Sequence, residues 1–289
     1  MPKVDNAVIM AAGTSSRFAP LSYERPKALV EVRGEVLIER QIRQLKEAGV
    51  AQICVVTGYK AADLEYLRDR LGVSLVHNPD YLTRNNNASI WAARDWMHNT
   101  YLCSADNYFP VNPFEARVDD AYYAAVYASG PTGEWCLEED GEGNISSVTV
   151  GGADAWIMMG HTFWTEEFSR RFLRILAAEY DRPETAGKLW ESIFLEHLDE
   201  LKMKIRRYPP EQIFEFDSLD ELREFDGSYR ENSRSALLRS AAEQLHTTEG
   251  RLTQIRSIRG ADAAAVGFSF LFEGKRYRYD YAGQTLRAE

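Results

Sequence analysis

Residues 10–20 read MAAGTSSRFAP, and a Pro26-Lys27 pair follows shortly after. The run before it, NAVIM, is short and apolar, so the stretch reads as the loop leaving a first strand. Ala11, Ala12 and Gly13 are small enough to let backbone amides come close to an anion, Thr14, Ser15 and Ser16 add hydroxyl donors, and Arg17 adds a planar cation. A lone glycine is an ordinary turn former. Arg17 and Pro26-Lys27 together turn the reading towards a loop that holds phosphate.

Outward from that loop, short apolar runs alternate with amphipathic segments: LIERQIRQLKEAG, QICVVTG, ADLEYLRDRLG, SLVHNP, ASIWAARDWM and TYLCSADNYF. Strand then helix, repeated, predicts an α/β fold with a largely parallel sheet covered on both faces. Leu37, Ile38, Ile42, Leu45 and Ala48 form one apolar stripe, with Gly49 where a left-handed cap belongs. In such a sheet the loop after the first strand lies at the ligand crevice. After about residue 120 the pattern turns β-rich, as AYYAAVYAS, EWCLEED, ISSVTVGG and AWIMMGHTFWT separated by GPTGE, DGEGN and GGAD. Two helices and two strands (MKIRRYP, IFEFDS) follow, then a helix opened by a Ser218/Glu221 capping box. Gly227 and Ser228 read as a junction, giving domains 1–227 and 228–289, the second a helix followed by strands.

The formal charge of −10 excludes general affinity for nucleic acid, which comes from clustered Lys and Arg. A 45% hydrophobic, 12% aromatic, 27% charged chain is a folded globular one. Cys54, Cys103 and Cys136 are odd in number, without metal-ligand spacing, and read as buried thiols in a reducing cytoplasm. The start shows no signal peptide, and no window approaches the ~20 apolar residues of a membrane span. Neither G-x-x-x-x-G-K-[ST] nor G-x-G-x-x-G occurs, which excludes a P-loop NTPase and a dinucleotide-binding Rossmann enzyme.

The stretch AAGTSSRFAPLSYERPKAL resembles the A-A-G-x-G-x-R-hydrophobic-x-P…P-K signature of the sugar-1-phosphate nucleotidyltransferase superfamily, departing from it at Ser15, where the family usually has glycine. With PKALVEV, LIERQI, VVTGYK, NNNASI, SADNYF, EWCLEEDG and EFDSLDELREF, residues 6 to about 226 are similar to bacterial CTP:phosphocholine cytidylyltransferases and their 2-aminoethylphosphonate relatives. The resemblance implies a Rossmann-like nucleotidyltransferase fold, α/β with a mixed, mostly parallel central sheet, plus a small α+β C-terminal unit. It implies Mg²⁺ held by Asp106 and Asp217, Arg17 on the triphosphate of CTP, and Lys27 on the α-phosphate and the acceptor's anionic group. Cytidine contacts are expected from Ala11, Ala12 and Gly13 and from Asn86 and Ser89. For Asn86 and Ser89, capping of the next helix is an equal alternative.

For the acceptor, a quaternary ammonium calls for aromatic faces, and Tyr108, Trp135, Trp164 and Trp190 with Glu215 are candidates. Trp135, Trp190 and Glu191 match choline-site positions, but Gly187 and Leu189 stand where those enzymes carry Asp and Tyr. A primary ammonium, as in aminoethylphosphonate or phosphoethanolamine, calls for acceptors such as Glu134, Asp154, Glu191 and Glu215. Core packing is the even alternative for each Trp. His77, His98, His161, His197 and His246 read as structural or surface residues. Residues 231–289 resemble the first β-hairpins of a bacterial choline kinase, with Asp280 where a phosphate-binding cation belongs. That implies a remnant without phosphotransferase activity, covering an apolar face, mediating a homodimer, or playing no separable part. A sugar-1-phosphate nucleotidyltransferase and a nucleotide-sensing scaffold are the competing functions.

Overall fold

The computed structural model describes residues 1–260 and 265–289. In chain order the strands are β1 (Asn6–Ala11), β2 (Glu31–Val32), β3 (Glu35–Val36), β4 (Ile53–Thr57), β5 (Ser74–His77), β6 (Thr100–Ser104), β7 (Asn107–Tyr108), β8 (Tyr122–Glu139), β9 (Ile145–Trp164), β10 (Lys204–Tyr208), β11 (Phe214–Glu215), β12 (Thr253–Arg259), β13 (Ala265–Phe272), β14 (Lys275–Asp280) and β15 (Thr285–Ala288). The helices are α1 (Leu21–Glu24), α2 (Leu37–Glu47), α3 (Tyr66–Leu71), α4 (Asn87–Ala92), α5 (Glu166–Glu179), α6 (Pro183–Ala186), α7 (Trp190–Glu196), α8 (Leu219–Phe225) and α9 (Ala236–Gln244). These residues form two compact units, Met1–Gly13 with Ile38–Glu215, and Thr14–Leu37 with Phe216–Glu289. Thr14–Leu37 therefore groups with the C-terminal residues, across the junction expected at 227/228, while Ala11, Ala12 and Gly13 stay with the first unit.

The first unit is built on a seven-stranded sheet of order β10-β8-β9-β6-β1-β4-β5. β1 pairs in parallel with β4 and β6, β4 with β5 and β10 with β8, while β9 runs antiparallel to β6 and β8. The expected mixed, mostly parallel α/β sheet is what forms. Its central strands β1 and β4 are continuous apolar runs because helices cover both faces. From α2, Ile38, Ile42 and Leu45 are fully buried, as their stripe requires, and Gly49 takes φ 87° at the helix end.

The β-rich segment departs from the four strands expected. It is one hairpin of two long strands, β8 and β9, with repeated register shifts. The turn-prone GPTGE and GGAD lie opposite each other, Pro131 facing Ala153 and Thr132 facing Gly152, so their glycines become bulges. Only the DGEGN segment reverses the chain, where Asp140 Oδ1 accepts from the amides of Glu142 and Asn144, each at 2.9 Å.

An aromatic cluster fills the core beneath β9: Trp164 lies 4.8 Å from Phe168, 4.7 Å from Phe172 and 5.0 Å from Trp190, between ring centroids. Trp164 is fully buried, and among the described residues its indole N–H finds no hydrogen-bond partner. Trp164→Ala is expected to cost about 3–5 kcal/mol in urea unfolding. Trp164→Phe should cost far less, because it also removes the orphaned donor. Equal losses for the two variants would contradict this packing. The three cysteines are buried and unbridged, as expected, and burial pushes the Cys54 thiol up to about 12. Among the described residues no helix is long and apolar enough to cross a membrane.

The second unit joins Thr14–Leu37 to the C-terminal segment through polar contacts that satisfy chain ends. Glu24 caps the start of α9, accepting from the Ala236 amide at 2.7 Å, and Arg25 donates to the Arg234 carbonyl at 3.1 Å. Arg234 returns to Glu31 at 2.7 Å, and the Tyr229 hydroxyl donates to the Glu31 carbonyl at 2.6 Å. Asp226 accepts from the Arg33 amide at 2.7 Å, and Tyr23 stacks on Tyr281 at 3.8 Å between centroids. The antiparallel sheet β12-β13-β14-β15 packs Phe268, Phe270 and Tyr279 inward, all fully buried.

Candidate active site

Parallel β1 and β6 run in register, Met10 beside Ser104, so Ala11–Ala12 and Ala105–Asp106 leave the sheet at one edge. The Ala105 amide donates to the Met10 carbonyl at 3.2 Å, tying the two exits together. Ala12 offers its carbonyl to the Tyr59 amide at 3.0 Å. Gly58 is required there, because a Cβ at that position would lie 2.8 Å from the Ala12 oxygen and from Tyr81. Just after Asp106, β7 pairs antiparallel with β11, Asn107 opposite Glu215 and Tyr108 opposite Phe214. Asn107 Nδ2 donates to Glu215 Oε2 at 3.1 Å, and the Arg40 guanidinium lies 4.7 Å over the buried Tyr108 ring. In sequence, Asp106 directly precedes β7 and Asp217 follows β11 by one residue.

The NNNASI segment works as a clamp. Asn85 Nδ2 donates to the Gly187 carbonyl at 3.1 Å, and Asn87 Nδ2 donates to the Thr185 carbonyl at 3.0 Å and to that of Lys188. Asn86 makes no side-chain cap on α4; its Oδ1 accepts from the Trp190 amide at 2.7 Å and its Nδ2 donates to Glu191 Oε2 at 3.1 Å. Ser89 is buried and accepts from Asn78 Nδ2 at 3.2 Å. These bonds fix the turn that starts α7, and with it the direction of Glu191.

Glu191 also accepts from the Tyr123 hydroxyl at 3.3 Å, and the Tyr123 ring stacks on Trp190 at 5.8 Å. Burial pushes the Glu191 carboxyl up to about 7, against the opposing pull of its hydrogen bonds from Asn86 and Tyr123. Burial likewise drives the Tyr123 phenol well above its ordinary value, and the charges of Glu191, Glu215 and Asp106 push it further. Of these carboxylates Glu191 is the one in hydrogen-bond contact with Tyr123. Trp190 itself is 1% exposed and spends its faces on the core, whereas Trp135, on β8, stays partly exposed.

In the second unit, Arg17 Nη1 lies 2.7 Å from Asp217 Oδ2 and Lys27 Nζ lies 3.6 Å from Asp217 Oδ1. Lys27 is buried with its ammonium 5.6 Å over the Phe18 ring, while the Arg17 side chain is largely exposed. Half of the expected capping box forms: Ser218 Oγ accepts from the Glu221 amide at 3.2 Å, while Glu221 Oε2 accepts from the amide one residue earlier, that of Asp217, at 2.7 Å. That last bond holds the Asp217 backbone where its carboxylate meets both cations. Ser15, at the family's glycine position, has φ 46° and ψ 44°, the left-handed conformation glycine adopts freely. Its carbonyl accepts from the Phe18 amide at 2.9 Å, closing the turn that carries Ser16 and Arg17.

The geometry adds one residue that sequence reasoning missed beside Glu191, Tyr123, since a tyrosine in AYYAAVYAS reads as a strand residue like its neighbours. His161 is structural as expected, sharing a 2.9 Å hydrogen bond with Tyr122 and pushed down to about 3 by burial. His197 gathers with Glu179 and Glu196, but those carboxylates already pair with Arg182 at 3.5 Å and with Lys188.

The MobA-like NTP transferase domain family matches residues 7–136. The 2-aminoethylphosphonate cytidylyltransferase of Lancefieldella rimae is 36% identical over 228 residues, 78% of this chain and 93% of that protein. The choline-phosphate cytidylyltransferase of Streptococcus pneumoniae is 30% identical, over 76% of this chain and 96% of its own length. The solved structure of the Streptococcus pneumoniae CTP:phosphocholine cytidylyltransferase superposes with a TM-score of 0.74 at 30% identity, over 77% of this chain and 98% of that one.

Proposed function

The chain belongs to the cytidylyltransferases of the MobA-like NTP transferase family, and from that premise we propose that it transfers CMP from CTP to a small phosphonate or phosphate bearing a primary ammonium, 2-aminoethylphosphonate or its close analogues, releasing pyrophosphate. The observation that carries the choice of acceptor is the Glu191 carboxylate, aimed by hydrogen bonds from Asn86 and Tyr123, with Trp190 sunk in the core. Carboxylates accept hydrogen bonds from a primary ammonium, whereas a quaternary one has no N–H to give and binds best to open aromatic faces.

In the reaction a phosphonate oxygen attacks the α-phosphorus of CTP, a new P–O bond forms and the bond to pyrophosphate breaks. The acceptor is already ionised, so no side chain has to remove a proton. Catalysis rests on alignment and on countering charge at the transferring phosphorus. Lys27 serves the α-phosphate and the acceptor anion, Arg17 the triphosphate, and the loop Ala11 to Ser16 the remaining phosphate and cytidine contacts. Asn86 and Ser89 act by fixing the clamp, Tyr108, Trp135, Glu191 and Glu215 shape the acceptor side, and Trp190 backs Glu191 from within the core.

Asp106 and Asp217 are the carboxylates that would hold Mg²⁺. Oxygen-only donors suit that hard cation, and Asp106 follows the end of β6, the strand in parallel register with β1. Bound there, Mg²⁺ supplies divalent charge against the phosphates.

A panel of 2-aminoethylphosphonate, phosphoethanolamine and phosphocholine assayed with CTP and UTP tests the proposal. The primary ammonium acceptors should exceed phosphocholine in kcat/KM by at least about tenfold, and CTP should be preferred. Preference for phosphocholine or for a sugar 1-phosphate would overturn it.

Glu191 gives a second test. Its raised carboxyl binds its proton more tightly in the folded chain, so the stability tied to it is full below an ordinary carboxyl value and falls as pH rises through about 7. Without ligand, Glu191→Gln should therefore be more stable than the wild type at pH 8, by about 2 kcal/mol, with the advantage fading towards pH 5. The same variant should raise KM for the ammonium acceptor about tenfold or more. Melting curves at the two pH values and acceptor titrations check both; a Gln variant less stable at pH 8 would refute the buried-carboxyl reading.

A further inference from the structure

Within the second unit the phosphate loop receives a cation from far down the chain. Arg259 closes β12, where the β12–β13 register shifts between Ile258 and Arg259. Such an irregularity re-aims a side chain, and the Arg259 guanidinium donates to the Ser16 hydroxyl, beside Arg17. Arg259 is exposed, and among the described residues no carboxylate pairs with it. The two signature cations stand differently: Arg17 and Lys27 both face Asp217, which offsets part of their charge. A nucleoside triphosphate brings about four negative charges, more than that partly neutralised pair and one divalent ion answer.

We propose that Arg259 is a nucleotide-binding residue, a second guanidinium placed on the triphosphate loop by the C-terminal segment, serving the phosphates that leave as pyrophosphate. The C-terminal sheet is then part of the nucleotide site, held to the loop by the Glu24, Arg25, Glu31 and Tyr23 contacts of the same unit. This inference rests on the CTP-dependent reading above. A planar fork that donates several hydrogen bonds suits phosphate oxygens better than a point charge does.

The experiment compares the full-length wild type with Arg259→Ala, Arg259→Lys and Arg256→Ala. Arg256 is an exposed residue of the same strand, opposite Ser269, and serves as the control. Calorimetric titration with pyrophosphate in the presence of Mg²⁺ is read beside KM and kcat for CTP. Arg259→Ala should weaken pyrophosphate binding and raise KM for CTP about tenfold, with kcat within about twofold. Arg259→Lys should recover part of the loss and Arg256→Ala should match the wild type. Unchanged pyrophosphate affinity in Arg259→Ala, or a loss confined to kcat, overturns the assignment while the cytidylyltransferase reading stands. A wild type that neither binds nor turns over CTP overturns both.

Discussion

Asp106→Asn should lower kcat/KM for CMP transfer by about three orders of magnitude while leaving the melting temperature unchanged. The amide keeps the size and shape of the carboxylate, so the turn between β6 and β7, the Ala105–Met10 bond and the Asn107–Glu215 bond should persist. What disappears is one negative charge, at the end of a strand whose neighbour opens into the loop at residues 11–16. Pyrophosphate release from CTP with 2-aminoethylphosphonate, read beside a thermal melt, separates chemistry from folding. Turnover within a few-fold of the wild type would remove Asp106 from the reaction.

Lys27→Met should be nearly as damaging, with kcat/KM down by about two to three orders of magnitude. Methionine follows the path of the lysine stem and packs against Phe18, so the buried site keeps its volume. Asp217 keeps its 2.7 Å contact with Arg17, so the carboxylate is not stranded. The loss therefore reports the ammonium itself. If Lys27 faces both the α-phosphate and the acceptor anion, KM for the acceptor and kcat should both deteriorate; a change in KM for CTP alone would move Lys27 to a purely nucleotide role.

Much of the scaffold was legible because its signals are local. The stripe of α2 and its terminal Gly49 follow from helical periodicity, and the Ser218/Glu221 box from spacing alone. Ser15 shows the value of a departure: it stands where the family usually has glycine, and its backbone is left-handed, the conformation that glycine adopts freely. What stayed hidden depends on distant partners. Asn86 lies where a helix cap is expected, yet its partners Trp190 and Glu191 are more than a hundred residues away. Turn-prone glycines in the long hairpin read as chain reversals because sequence does not say which of them face each other across a ladder. Arg259 carries no motif; a bulged strand end aims it at Ser16.

Thr14–Leu37 and Phe216–Glu289 form one compact body although 178 residues separate them in the chain. A chimaera that exchanges the C-terminal sheet with a single crossover near residue 227 would therefore inherit mismatched halves of that body. Grafting both stretches as a set, at Gly13/Thr14, Leu37/Ile38 and Glu215/Phe216, transplants it whole. In lineages that shuffle this gene, Thr14–Leu37 and the distal sheet should travel as a pair.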